Sequence, residues 1–257
     1  MLVRSILFNI AFLLTFVVLG ILFSPILLFP SRYGWWVVHI WAGATLWWHK
    51  AICGIAEEIR GRETIPPGGL IVACKHQSAW ETLRLVTLFP KPTFILKRQL
   101  MWIPLFGWYL KRFGQIPIDR GNRAAALAAM LERAKAAVAE GRQVIIFPEG
   151  TRRHPLAPPD YKFGVARLYR AVGAPVLPIA LDSGLFWPRR SPTHRRGTIV
   201  LSCLAPIPPG RETDTFFAEL KAKLEAESAS LVAEAFDRDP GLAAIARIEL
   251  KDLEYTT

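Results

Sequence analysis

The chain has 257 residues, enough for one globular domain of ordinary size and an accessory element. Hydrophobic residues make up 52% with a mean hydropathy of +0.26, and the excess is concentrated before about Gly54. The net charge of +11 is uneven: residues 211–257 carry 6 Lys/Arg against 11 Asp/Glu, leaving residues 1–210 with a net +16, and the apolar N-terminus turns so basic a body away from nucleic acid and towards an anionic membrane or an acidic substrate.

Residues 6–29 are nearly all apolar and uncharged, long enough to cross a bilayer as a helix, with Pro25 expected to kink or end it. The run is too long for a cleaved signal peptide, and no small-x-small site comes after it. A second apolar stretch, from residue 34 to about 56, carries five of the nine tryptophans: Trp35, Trp36, Trp41, Trp47 and Trp48. Tryptophan favours the membrane interface, whereas His39, His49 and Lys50 argue against full burial in lipid. A two-helix hairpin turning about residues 30–34 is expected, its second arm shallow or in the interface. The competing reading is a pair of core helices.

Beyond residue 56 the texture becomes that of strands alternating with helices. Short apolar runs at 70–74, 93–96, 143–147, 174–181 and 198–202 read as buried strands; 115–118 reads as an edge strand because of Pro117. Helices are expected at 124–140, with Gly141 as its stop, at 164–171 and at 215–236, with a break at Asp239-Pro240-Gly241. The pattern predicts an α/β fold, a mixed sheet flanked by helices. The expected organisation is a membrane-anchoring element at 1–56, an α/β domain at 57–210 and an acidic helical segment at 211–257. Cys53, Cys74 and Cys203 have no pairing or metal spacing and read as small core residues.

Four groups of residues can carry chemistry. His76 lies just past a buried strand, where open α/β sheets bind ligands, and Glu81 lies five residues on, at the start of a helix. Folded back across that turn, the carboxylate can fix one imidazole nitrogen and leave the other as a base. Seen alone, such a pair serves structure more often than catalysis. Phe147-Pro148-Glu149-Gly150-Thr151-Arg152 runs from a strand into a tight turn that can aim Glu149 and Arg152 at one opening, although a solvated ion pair fits equally well. Asp119-Arg120 and Lys97 put further charge at strand ends. Val176, Leu177, Pro178 and Ile179 are ordinary core by composition, or the lining of an acyl groove.

Together these blocks resemble the glycerolipid acyltransferases of the bacterial 1-acyl-sn-glycerol-3-phosphate type, over roughly residues 70–181. His76 to Glu81 resembles the family's His-x4-Asp block, and Gly114 to Arg120 the block ending Ile-Asp-Arg. Phe147 to Arg152 matches the third block letter for letter, and Val176 to Ala180 resembles the fourth. The resemblance implies His76 as general base and Glu81 as its orienting carboxylate. It implies Arg120, Glu149, Gly150, Thr151 and Arg152, joined by Lys97, on the glycerol phosphate. Glu81 stands for the usual Asp, one methylene shorter, and Lys75 stands where Asn is frequent. The reaction implied is acyl transfer from an acyl carrier protein or coenzyme A thioester to the sn-2 hydroxyl of 1-acyl-sn-glycerol-3-phosphate, with no cofactor and no metal, at the cytoplasmic side of the inner membrane. No Gly-x-Ser-x-Gly elbow is present, and direct attack needs no acyl-enzyme. Another lysolipid acceptor, a thioester hydrolase and a non-catalytic membrane-surface binder remain as alternatives.

Overall fold

Strands that are apolar on both faces need cover on both sides, and the middle of the sheet is built from such strands. The computed structural model describes residues 1–118, 123–189 and 191–254. Its strands are β1 (Ile55–Arg60), β2 (Leu70–Cys74), β3 (Pro92–Lys97), β4 (Ile116–Ile118), β5 (Gln143–Ile146), β6 (Val176–Leu181) and β7 (Gly197–Cys203). They form one mixed sheet in the order β1-β7-β6-β2-β5-β3-β4. All neighbours are parallel except β6 and β7. Pro117 sits in the terminal strand β4, where a missing backbone donor costs no ladder bond.

The helices are α1 (Leu2–Leu22), α2 (Trp35–Cys53), α3 (Trp80–Leu88), α4 (Phe106–Arg112), α5 (Arg123–Ala139), α6 (Gly164–Val172), α7 (Thr213–Arg238) and α8 (Pro240–Glu254). Strand alternation divides the core between two faces. Leu70, Val72 and Cys74 of β2 join Trp80, Leu83 and Leu85 of α3, with Phe8 and Ala42 of α1 and α2, on one side. Ile71 and Ala73 join Met130, Val165, Leu168 and Leu220, from α5, α6 and α7, on the other.

One boundary moves. The second apolar stretch ends as a helix at Cys53, because Gly54 takes a left-handed conformation (φ 71°). The chain then enters β1, an edge strand whose Ala56, Glu57 and Glu58 are exposed, so it lacks the alternation that would announce it. Of the two N-terminal helices, α1 is the one long and apolar enough to span a bilayer, among the described residues. It is also fixed to the domain. Phe8 is fully buried against His49, Trp187 and His194; the Ser5 hydroxyl accepts from the His194 backbone N–H at 2.8 Å; and the Tyr109 hydroxyl of α4 donates to the Gly20 carbonyl at 2.9 Å.

Candidate active site

β2 and β5 are parallel neighbours, so the loops at their C-terminal ends lie side by side. The β2–α3 loop carries His76 and the β5–α6 loop carries residues 147–152. Backbone bonds stitch the loops together: Arg153 N–H donates to the His76 carbonyl at 2.8 Å. The turn at Phe147–Gly150 closes through a 2.9 Å bond from Gly150 N–H to the Phe147 carbonyl, and Gly150 takes φ 67°, a conformation costly for a residue with a Cβ.

His76 Nδ1 lies 2.8 Å from Glu81 Oε1, the second residue of α3. Glu81 is fully buried and densely satisfied. Its Oε1 also accepts from the backbone N–H groups of Gln77 and Ser78, and its Oε2 from the hydroxyls of Ser78 and Ser183, all at 2.8 Å. Burial opposes ionisation of this carboxyl, but the hydrogen bonds from His76 and Ser78 outweigh it and hold it below the ordinary carboxylate value. An ionised Glu81 requires a proton on His76 Nδ1, which leaves Nε2 as the basic nitrogen. The ring stacks on Phe147 at 3.9 Å between centroids, and among the described residues Nε2 has no hydrogen-bond partner.

His76 lines a cavity of about 880 Å³, ample for a lipid-sized ligand. Its walls are mostly apolar. Phe12, Phe16, Leu19 and Gly20 of α1 form one stripe at helical spacing; Val38 and Trp41 of α2, Leu83 and Val86 of α3, Phe94 and Leu96 of β3, and Phe106 and Leu110 of α4 complete them. Lys97, Arg152, Lys162 and Arg189 supply cationic groups to the same cavity, with Gly150 and Thr151 between. Lys162 is occupied by Asp160 at 2.7 Å, and Arg189 donates to the Arg152 carbonyl at 2.8 Å. Among the described residues the Arg152 side chain makes no hydrogen bond or ion pair.

The structure thus brings His76, Glu81, Gly150, Thr151, Arg152 and Lys97 to one cavity or its immediate support. Arg120 lies outside the described residues. Glu149 is not on the cavity wall: it is 1% exposed, Oε1 accepts from Lys75 Nζ at 2.9 Å, and Oε2 accepts from the His76 backbone N–H at 2.9 Å. Both carboxylate oxygens are thus engaged by the protein, and Glu149 is placed behind His76 rather than on the cavity wall where the substrate contact was expected. Val176, Leu177, Pro178 and Ile179, the residues expected to line a groove, are placed in the core. They lie in the interior strand β6, are fully buried, and touch no part of the cavity.

Sequence reasoning missed Ser183, which completes the Glu81 cage from 102 residues away, and Arg189 at the cavity. Neither stands in a recognisable pattern. Among the described residues one cluster has metal-ligand chemistry: His49, Cys53 and His194, whose ligand atoms lie within 4.8 Å of one another. His49 Nε2 and His194 Nδ1 are 2.9 Å apart, closer than the roughly 3.3 Å that two imidazoles on one tetrahedral zinc would take. They read as a hydrogen-bonded pair packed among Phe8 and Trp187.

The sequence profile of the acyltransferase family matches residues 57–182. A 1-acyl-sn-glycerol-3-phosphate acyltransferase of Pseudomonas aeruginosa is 35% identical over 216 residues, 84% of each chain. The human 1-acyl-sn-glycerol-3-phosphate acyltransferase alpha is 30% identical over 62% of this chain and 57% of its own. Among solved structures, the 1-acyl-sn-glycerophosphate (LPA) acyltransferase PlsC of Thermotoga maritima superposes with a TM-score of 0.76 at 21% identity, covering 90% of this chain and 97% of that one. At that identity the likeness is one of fold.

Proposed function

The chain belongs to the acyltransferase family, and on that premise we propose that it moves a fatty acyl group from a thioester to the sn-2 hydroxyl of 1-acyl-sn-glycerol-3-phosphate, giving phosphatidic acid. The observation that carries the reading is His76: Nδ1 is held by a buried carboxylate, and Nε2 opens on an apolar cavity that also carries Arg152.

The acceptor hydroxyl binds within hydrogen-bond reach of Nε2. Nε2 takes its proton as the oxygen attacks the thioester carbonyl. The tetrahedral intermediate collapses with cleavage of the C–S bond, and the imidazolium returns the proton to the departing thiolate. Glu81 faces the imidazolium and steadies its charge. Arg152 and Lys97 hold the phosphate; Arg is suited to it by its planar fork of donors. By resemblance Arg120 joins them. Thr151 and Gly150 also line the cavity, and the acyl chain occupies the space between α1, α2, α3, β3 and α4. Glu149 acts as a positioning residue behind His76.

The thioester is that of an acyl carrier protein or coenzyme A, and no cofactor enters any step. α1 anchors the enzyme in an anionic inner membrane with α2 against it, the active site facing the cytoplasm. Exposed Leu13, Leu14, Val18, Trp36, Trp47, Trp102 and Trp108 supply an apolar surface for that contact. An active site at the interface spares extraction of the acceptor, which costs about 0.8 kcal/mol per CH₂ moved into water.

The test is product analysis with detergent-purified protein, a labelled acyl thioester and 1-acylglycerol-3-phosphate, with His76→Ala alongside. Phosphatidic acid from the wild type and at least about 1000-fold less from the variant is expected, the scale of losing a base within an acyl-transfer constellation. Free fatty acid formed without acceptor would mark a hydrolase instead. Transfer only to a phosphate-free lysolipid would overturn the assigned acceptor.

A further inference from the structure

Behind His76, on the side away from the cavity, lies a set of charged groups that the reaction does not use. Lys75 adjoins the end of β2, and its ammonium, almost completely buried, bridges Glu149 Oε1 at 2.9 Å and Glu225 Oε1 at 2.8 Å. Glu225 belongs to α7, which carries none of the four blocks. The Tyr161 hydroxyl donates to the same Glu225 oxygen at 2.5 Å, and the Lys75 ammonium stands 5.2 Å over the Tyr161 ring. Burial, with the Glu225 carboxylate beside it, pushes the Tyr161 hydroxyl far above the usual phenol range, so it stays a donor. None of Lys75, Glu149, Tyr161 or Glu225 lines the cavity, so none touches a substrate held there.

We infer that Lys75, Glu225 and Tyr161 are positioning residues, and that α7, through Glu225, fixes where His76 presents its basic nitrogen. The route is short. Glu225 and Tyr161 hold the Lys75 ammonium, and the ammonium holds Glu149 Oε1. Glu149 Oε2 then accepts the backbone N–H of His76 itself. Each link is a hydrogen bond of 2.5–2.9 Å between buried or half-buried groups, three of them ionised, in surroundings where such bonds are strong and geometrically demanding. A single cation serving two carboxylates couples the loop behind His76 to α7. With Lys75 released from Glu225, Glu149 becomes the ammonium's sole anionic partner, and the loop behind His76 loses its tie to the helix layer. Misplacing a catalytic group by about 1 Å can cost about 100-fold in rate, so a shift of half that size costs roughly tenfold.

The inference rests on His76 being the base of the proposed reaction, and steady-state kinetics on the full chain in detergent micelles separate the two. The variants are Glu225→Gln, Tyr161→Phe and a control, Glu234→Gln. Glu234 lies on the same helix and forms a bidentate ion pair with Arg60 of β1, away from the set. With an acyl thioester and 1-acylglycerol-3-phosphate, Glu225→Gln is expected to lower kcat about tenfold while both KM values stay within twofold. Tyr161→Phe should act in the same direction by about threefold, and Glu234→Gln should keep the wild-type kcat. A purely structural role would lower the melting temperature of Glu225→Gln and leave kcat per folded molecule unchanged, and that result overturns the inference. Should Glu225→Gln fail to fold, Tyr161→Phe decides on the same criterion. A wild type that makes no phosphatidic acid overturns the assigned reaction and this inference with it; an active wild type with an equally active Glu225→Gln overturns this inference alone.

Discussion

Replacing Glu81 by Gln keeps the shape of the side chain and removes its charge, and the surroundings dictate how the amide will sit. Three N–H donors, His76 Nδ1 and the backbone of Gln77 and Ser78, converge on Oε1 at 2.8 Å each, so the amide oxygen takes that position. The amide nitrogen then meets the hydroxyls of Ser78 and Ser183, and both can turn to accept. The imidazole therefore keeps its tautomer, and the loss is confined to the negative charge facing the imidazolium. A charge-assisted bond exceeds a neutral one by about 1.5 kcal/mol, which sets the lower limit. Two unit charges about 4 Å apart at an effective dielectric near 20 interact by about 4 kcal/mol, which sets the upper one. At about 1.4 kcal/mol per decade, kcat should fall between roughly 10-fold and 1000-fold. That is less than the loss of about 10⁴ seen when a triad's carboxylate-to-amide change leaves the wrong tautomer. Acyl transfer from a labelled thioester, normalised to folded protein by circular dichroism, measures it. A kcat within twofold of wild type would refute a charged role for Glu81, and a loss of 10⁴ or more with the fold intact would refute the amide orientation.

Arg152→Ala should raise KM for 1-acylglycerol-3-phosphate by about tenfold or more, the value of a charge-assisted bond near 1.5 kcal/mol, and leave phosphate-free acceptors little affected; equal losses on both acceptors would remove the phosphate from its assigned partner. Asp182 is buried with Oδ2 unpartnered, and burial raises its carboxyl to about 7 from an ordinary 3.8. The folded state therefore favours the protonated acid, and its contribution is complete below pH 3.8 and lost as pH rises through 7. The stability of wild type relative to Asp182→Asn should fall by roughly 2–4 kcal/mol between about pH 4 and pH 8 in chemical denaturation, and a pH-independent difference would sink the assignment. Replacing Leu13, Leu14 and Val18, each more than half exposed, by Gln should abolish flotation with anionic vesicles while leaving the melting temperature in detergent unchanged, because these side chains pack on little within the chain. Retained flotation would transfer the membrane contact to another surface.

Wherever one local signal was enough, the fold was legible in the sequence. The apolar runs that became β2, β3, β5, β6 and β7 stand out because interior strands need apolar residues on both faces, and Pro117 marked an edge. β1 escaped because Glu57 and Glu58 give an exposed edge strand the look of a loop. His76 and Glu81 were legible as a pair because the turn joining them is local. Their supports were not, since Ser183, which bonds Glu81, and Glu225, which bonds Lys75, arrive from other elements with no spacing to betray them. The acyl groove was sought in β6 because an apolar run carries the same signature in a core and in a groove. The cavity's own walls were hidden for a related reason: Phe12, Phe16 and Leu19 sit in a helix whose exposed and cavity-facing residues are equally apolar.

That double-sided helix limits how the enzyme can be altered. Because α1 supplies both outward Leu13, Leu14 and Val18 and inward Phe12, Phe16 and Leu19, the proposed membrane contact and the proposed substrate chamber share one part. Trimming α1 to obtain a water-soluble form would remove Phe12, Phe16 and Leu19 from the cavity wall. On the proposed anchoring, adjusting α1 to a thicker bilayer would also alter the wall of the proposed acyl chamber, because both draw on a single stretch of 21 residues.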